Sequence, residues 1–229
     1  MKAAIMQPYL FPYIGYWQLI RAVDVFVIYD DVNYINRGWI NRNNLLEQGR
    51  RKLFTLETSG ASQNKLINQV SVGQNTGSLL KTFHQNYQKA PYFDQVIQML
   101  SELLSSDEKN LARLISASLR RICSYLMIDT QLIVSSEVFA NRGLKGADRI
   151  IDICKHLGAG EYINAIGGKE LYKRDYFGSK GISLFFLESD PVEYGQFGAP
   201  FVPNLSIIDV MMFNAPETIE KFLRNYRLT

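Results

Sequence analysis

The chain has 229 residues, 47% of them hydrophobic, and its 25 basic and 22 acidic side chains leave a formal charge of +3. This length fits one or two domains, and the hydrophobic content excludes a disordered or fibrous chain. The nearly balanced charge argues against a nucleic-acid partner held through its phosphate backbone.

No apolar run in the sequence reaches the roughly 20 residues that a membrane-spanning helix needs. The first apolar run stops at Gln7 and Pro8 and is too short for a signal peptide, so we expect a cytoplasmic protein without a membrane span. Cys123 and Cys154 lie in apolar helical patterns, and the cysteines and histidines lack the spacing of a metal site. We therefore predict buried thiols and no metal ion.

The amino-terminal part of the chain is predicted to form mainly strands. Its segments, in chain order, are a strand at residues 2–6, a helix at residues 13–22, an apolar strand at residues 25–29, a polar stretch without an assigned element at residues 33–48, and strands at residues 52–57 and 69–72. A buried strand, a crossover helix and a second buried strand form a βαβ unit, whose crossover is right-handed.

The middle of the chain predicts helices. We expect residues 77–128 to form a helical insertion packed on an α/β domain of residues 1–76 and 129–229. Within it, Ser105 and Glu108 have the spacing of a capping box and predict the start of a helix.

Strands and helices alternate again after the insertion. The elements are strands at residues 131–134, 161–164 and 182–187, and helices at residues 145–157, 169–173, 206–213 and 216–226. Strand–helix alternation at both ends predicts a three-layer, Rossmann-like α/β fold with a mostly parallel sheet. Ligands of such sheets bind at the carboxyl ends of the strands, which directs attention to the loops that follow them.

The loop after the first strand carries Gln7, Tyr9, Tyr13 and Tyr16 and leads into a helix N-terminus. Free N–H groups and partial positive charge at such a terminus suit an anion. We predict a nucleotide or sugar pocket here, with Tyr13 and Tyr16 as catalytic candidates; the alternative is a structural turn with stacked aromatic rings.

Asp30 and Asp31 follow the second strand. Adjacent residues of a strand point to opposite sides, so the two acids would not form a catalytic pair by themselves. One of them is predicted to bind a ribose or sugar diol, to bind a metal or to act as a base; the alternative is that one caps a turn.

The next loop is dense in amide and guanidinium groups around a tryptophan: Trp39, Asn41, Arg42 and Asn43. Amides suit sugar hydroxyls, an arginine fork suits phosphate or carboxylate, and an aromatic ring suits stacking on a sugar or base. A hydrogen-bonded loop without a ligand is the alternative.

Weaker candidates lie in the carboxyl-terminal half. Gly167, Gly168 and Lys169 follow a strand and suit an anion. The polar aromatic loop with Gln196 resembles a binding lid, whereas Asn204 or Ser206 with Asp209 is most simply a capped helix start.

Several long motifs, spread over nearly the whole chain, resemble those of the WbqC-like family. They are residues 5–17, 29–32, 38–43, 152–154, 157–159, 162–164 (which adds Asn164 to the candidates), 167–168 and 201–209. The resemblance implies a place in bacterial surface-polysaccharide biosynthesis, such as that of O-antigen, rather than a defined reaction.

A second resemblance concerns the stretch from Tyr13 through Gly15 to Tyr16, which is similar to the H-x-G-H motif of nucleotidyltransferases with both histidines replaced by tyrosine. A neutral phenol donates a hydrogen bond but does not supply the charge of an imidazolium. The resemblance therefore concerns the fold more than the mechanism.

Our leading interpretation is an enzyme, and specifically a transferase, that acts on a small molecule. Its substrate would be a sugar nucleotide or an amino sugar, and the reaction an acyl or aminoacyl transfer to a sugar amine. A nucleotide or an acyl donor is the cofactor or co-substrate that this implies. The alternatives are a nucleotidyltransferase-like or ATP-using ligase with an altered site, and a non-catalytic binding or scaffold protein with a degenerate pocket.

Overall fold

The computed structural model describes residues 1–198 and 200–229. Its strands are β1 (Lys2–Met6), β2 (Val25–Ile28), β3 (Arg42–Glu47), β4 (Arg50–Thr55), β5 (Thr58–Ser59), β6 (Ser71–Val72), β7 (Gln131–Ile133), β8 (Glu161–Ala165), β9 (Ser183–Ser189) and β10 (Tyr226–Leu228). Its α-helices are α1 (Ile14–Arg21), α2 (Thr76–Tyr87), α3 (Phe93–Leu104), α4 (Leu111–Tyr125), α5 (Gly146–Leu157), α6 (Arg174–Gly178), α7 (Ile207–Phe213) and α8 (Pro216–Leu223).

The central sheet has the strand order β10-β9-β8-β1-β2-β7. Its neighbours pair in parallel, apart from β10 with β9, which confirms the predicted α/β fold with a mostly parallel sheet. From β1 the chain moves outwards through β2 to β7, and it then returns to β8 on the other side of β1. The strand order therefore reverses between β1 and β8, and open α/β sheets bind ligands at such a reversal.

Helices cover both faces of the sheet because alternate side chains of each strand point to opposite sides. On β1, Ala3 and Ile5 join a core that contains Ile150 of α5 and Phe177 of α6. Ala4 joins the larger core on the other face, to which α1 to α4, α7 and α8 contribute. The cysteines are buried as predicted, one in each core, and burial raises the pKa of both thiols to about 12.

The middle of the chain is helical as predicted, but the capping box is wrong. Asn110 is the N-cap of α4, because its side-chain oxygen accepts a hydrogen bond from the Arg113 N–H at 3.1 Å. Ser105 instead ends α3, and Glu108 accepts from the Asn110 N–H at 2.8 Å. The acidic side chain thus holds the cap residue in place rather than closing a box.

Three other elements differ from the prediction. The polar stretch at residues 33–48 contains β3, which pairs antiparallel with β4. The structure of the described residues has no helix at residues 169–173. A 3₁₀ turn forms at Ile166–Gly168 instead, and α6 begins only at Arg174. The last helix ends at Leu223, after which β10 pairs with β9. Among the described residues, no helix is long and apolar enough to cross a membrane.

Candidate functional site

Two loops meet at the carboxyl edge of the sheet, the one that follows β1 and the one that precedes β3. The Leu10 N–H donates to the Ile40 carbonyl at 2.9 Å and joins them. The ring of Tyr9 lies 6.3 Å from that of Trp39, and the guanidinium of Arg42 lies 5.5 Å from the centre of the Trp39 ring. We call this surface, with Tyr13, the aromatic–arginine face.

Short-range contacts fix the geometry of this face. Arg42 Nε donates to the Gly38 carbonyl at 2.8 Å, which holds the guanidinium beside Trp39. On the other side, the ring of Tyr13 lies so close to Gly15 that a Cβ there would be 2.5 Å from the Tyr13 Cε2 atom. A side chain at position 15 would therefore displace the Tyr13 ring from this place.

The face presents polar groups that the protein itself leaves free. Among the described residues, the hydroxyls of Tyr9 and Tyr13 form no hydrogen bond, and Arg42 pairs with no carboxylate. Burial raises the pKa of Tyr9 far above its ordinary value, a nearby Tyr13 raises it further, and Arg42 opposes both. Burial also raises the pKa of Tyr13. At neutral pH the face thus offers two neutral phenols and one cation beside an indole ring that is 51% exposed.

The other candidates from these loops support the backbone. The Asn41 amide donates to the Leu56 carbonyl at 2.6 Å, and the Asn43 amide donates to the Phe11 carbonyl at 2.6 Å. Tyr16 is buried and donates its hydroxyl to the Gln7 carbonyl at 2.9 Å. The Tyr16 phenol is therefore occupied within the protein, unlike those of Tyr9 and Tyr13.

Asp30 and Asp31 are both buried and serve different sides of the sheet. Asp31 forms an ion pair with Arg149 of α5, at 2.5 Å between Oδ2 and Nη2, and accepts from the Ser136 hydroxyl. Asp30 accepts on Oδ1 from the Ser135 hydroxyl at 2.7 Å and from the Ser136 N–H at 3.1 Å. Burial raises the pKa of Asp30, against the lowering effect of these hydrogen bonds.

A cavity of about 430 Å³ lies over Asp30, between the carboxyl end of β7 and helix α4. The residues that line it include Asn68, Arg113, Arg120 and Ser135. Neither arginine is among the residues predicted from the sequence, although their spacing of seven residues puts both on one face of a helix.

The candidates in the carboxyl-terminal half differ in what they do. The Asn164 side chain is buried, and its amide donates to no described residue. A Cβ on Gly168 would lie 2.3 Å from the Asn164 Nδ2 atom, so the glycine leaves room for this amide. Gly167 and Lys169 are exposed, and the Lys169 side chain has no hydrogen bond to a described residue.

Gln196 belongs to a buried network that the sequence did not reveal. It donates to Asp209 at 2.8 Å, and the hydroxyls of Tyr87 and Tyr194 donate to the same carboxylate at 2.8 and 2.7 Å. Burial raises the pKa of Asp209, against the lowering effect of these donors. Ser206 caps the start of α7, and it was one of the two cap residues predicted for this helix. Asp209 anchors the loop that carries Tyr194.

Comparison with known proteins gives one family. The model of the WbqC-like protein family matches residues 7–221. An uncharacterized protein of Mycobacterium tuberculosis, Rv1507c, is 29% identical over 231 residues, which cover 99% of each chain. No solved structure matches the chain.

Proposed function

Because the chain belongs to the WbqC-like protein family, we propose that it is an enzyme of bacterial surface-polysaccharide biosynthesis that acts on a sugar nucleotide or an amino sugar. The pathway follows from the resemblance of the motifs to that family. The side chains of the site support the substrate class. Transfer of an acyl or aminoacyl group to a sugar amine is the reaction that fits both this pathway and this substrate class.

The observation that carries the proposal is the aromatic–arginine face. A half-exposed indole with a guanidinium 5.5 Å from its centre offers a stacking surface and a phosphate ligand side by side. Tyr9 and Tyr13 add hydrogen-bond donors that are suited to sugar hydroxyls. All four side chains lie at the carboxyl edge of the sheet, where the loop after β1 opens.

Asp30 is the residue we assign to the acceptor. Its carboxylate lies at the end of the neighbouring strand β2 and lines a cavity, and burial raises its pKa, which makes the carboxylate a stronger base. We propose that it orients the acceptor or takes its proton. Asp31 forms an ion pair with Arg149, so we assign it no role toward the acceptor.

Calorimetric titration with a panel of uridine, guanosine and thymidine diphosphate sugars tests the proposal. We expect saturable binding of at least one of them, and a loss of at least about tenfold, or about 1.4 kcal/mol, in Trp39→Ala and in Arg42→Gln. Arg174→Gln is the matched control, because the Arg174 guanidinium lies 5.9 Å from the Phe186 ring, away from the aromatic–arginine face. Absence of binding across the panel, or equal affinity in Trp39→Ala, contradicts the proposal.

A further inference from the structure

The cavity over Asp30 has an arginine at each end of one wall. Arg113 and Arg120 are two turns apart on α4, with the small residues Ser116 and Ala117 between them. Within the described residues neither guanidinium forms an ion pair, whereas Arg121, the next residue, pairs with Glu102 at 3.1 Å. Both guanidinium groups are exposed and border the same space, which the exposed carboxylate of Glu137 also lines.

The floor of the cavity offers hydrogen-bond groups of another kind. Asp30 uses Oδ1 to accept from Ser135 and Ser136, but Oδ2 accepts no hydrogen bond from a described residue. The side-chain amide of Asn68 also lines the cavity and has no hydrogen-bond partner among the described residues. An acceptor and an amide therefore remain free on the floor.

We propose that this cavity binds a small compound that carries an anionic group at one end and a hydroxyl or ammonium group at the other. One of the two arginines, Arg113 or Arg120, binds the anionic group, and Asp30 Oδ2 accepts from the hydroxyl or ammonium group. Ligand cavities measure roughly 300–1,000 Å³, so a space of about 430 Å³ suits a single sugar or amino acid. The anionic group is the phosphate of a sugar phosphate or the carboxylate of an amino acid.

This inference rests on the proposed function for the place of the compound as a reactant of the transfer: an amino sugar phosphate would be the acceptor, and an amino acid would be the source of the transferred aminoacyl group. It adds that this reactant is itself an anion, which the aromatic–arginine face does not imply. Binding to the cavity does not depend on Trp39 or Arg42, so the two sites are separable by mutation.

Ligand-observed NMR with the full chain tests the inference, with glucosamine 6-phosphate, glucosamine, inorganic phosphate and glycine as probes. We expect glucosamine 6-phosphate or glycine to bind, and the better of the two identifies the source of the anion. Arg113→Gln with Arg120→Gln should weaken that binding at least tenfold. Asp30→Asn should weaken it several-fold but leave inorganic phosphate unaffected, and Arg121→Gln is the control for helix charge.

Three outcomes overturn the inference: no probe binds, the double arginine variant binds as the wild type does, or Asp30→Asn weakens inorganic phosphate as much as the larger ligand. A separate titration of the double arginine variant with the sugar nucleotide keeps the two proposals apart. If the sugar nucleotide binds but no probe binds in the cavity, only the present inference is contradicted. If a probe binds in the cavity but no sugar nucleotide binds, only the proposed function is contradicted.

Discussion

Asp30 and Asp31 are neighbours in sequence, yet their carboxylates have different surroundings. Asp31 meets a cation on the α5 side of the sheet, whereas Asp30 lines a cavity on the α4 side. On the α5 side, Asp31 meets Arg149 at 2.5 Å, and Arg149 Nε donates to Asn141 at 2.9 Å. The Asn141 amide in turn donates to Asp152 at 2.8 Å, and the Arg149 guanidinium lies 4.8 Å from the centre of the Tyr29 ring. The charge of Arg149 is therefore matched by partners within the protein.

On the α4 side the charged groups are not matched. Asp30 keeps one carboxylate oxygen without a hydrogen bond from a described residue, and Arg113 and Arg120 stand across a cavity from it without an ion pair in the described part of the chain. The comparison teaches that burial of an acid does not by itself indicate a structural or a functional role. The partners decide: a closed network stabilises the fold, whereas an open one is available to a ligand.

The largest expected effect is on the closed network. Asp31→Asn or Arg149→Gln leaves an unpaired charge in the interior, and we expect either to lower the free energy of unfolding by about 3–5 kcal/mol. Urea denaturation measures this change. Asp30→Asn and Arg120→Gln are the matched substitutions on the open side. Arg120 is exposed and forms no ion pair with a described residue, so Arg120→Gln should change stability by less than about 0.5 kcal/mol. Asp30→Asn keeps an oxygen that can accept from Ser135 and Ser136, so it should cost less than Asp31→Asn. Equal losses on the two sides would remove the distinction between them.

A third buried acid sharpens the comparison, because Asp209 has neutral donors where Asp31 has a cation. Tyr87 donates to Oδ1, while Tyr194 and Gln196 both donate to Oδ2. Asp209→Asn replaces one oxygen by an amide that faces donors, so we expect a loss of about 1–3 kcal/mol in urea denaturation.

Asp129→Asn is the control for Asp209→Asn, since Asp129 is exposed and has no hydrogen-bonded side-chain partner among the described residues. We expect it to change stability by less than about 0.5 kcal/mol. If Asp209→Asn is as mild as this control, the three donors find other partners and the carboxylate does not anchor the Tyr194 loop.

The sequence predicted the parts of this fold that depend on local pattern. The apolar runs that became β1 and β2, and the helical periodicity of α2 to α5, are visible in short windows because burial repeats with the period of the element. Strand β3 escaped detection since its first residues are polar: Asn43 is buried, but its amide is satisfied by the carbonyl of Phe11, 32 residues earlier.

The candidate site divides in the same way. The sequence predicted Tyr9, Tyr13, Trp39 and Arg42 as candidates because they follow two strand ends and stand in stretches of unusual composition. Asp209 was assigned to a capped helix start, since its partner Tyr87 lies 122 residues away. Arg113 and Arg120 were visible as a helical pair, but only the return of β7 beside β2 creates the cavity that they border. Long-range contacts are the information that a single sequence lacks.

The smallest expected effect is the pH dependence that Asp30 adds to stability. Because burial raises its pKa in the folded protein, the native state binds more protons than the unfolded state at pH values between the two pKa values. The stability linked to Asp30 is then fully present below the unfolded value of about 3.9 and is lost as the pH rises through the folded pKa. Asp30→Asn does not titrate, so the wild type should lose stability relative to this variant over that window.

Urea denaturation of both proteins from pH 3.5 to pH 7 measures this difference. We expect the change to be smaller than the loss in Asp209→Asn, because the hydrogen bonds from Ser135 and from the Ser136 N–H lower the pKa of Asp30 and so oppose the effect of burial. The opposite slope, in which the wild type gains stability over the variant as the pH rises, would mean that these hydrogen bonds outweigh burial. A lowered pKa would make the Asp30 carboxylate a weaker base, which would argue against its role as the proton acceptor.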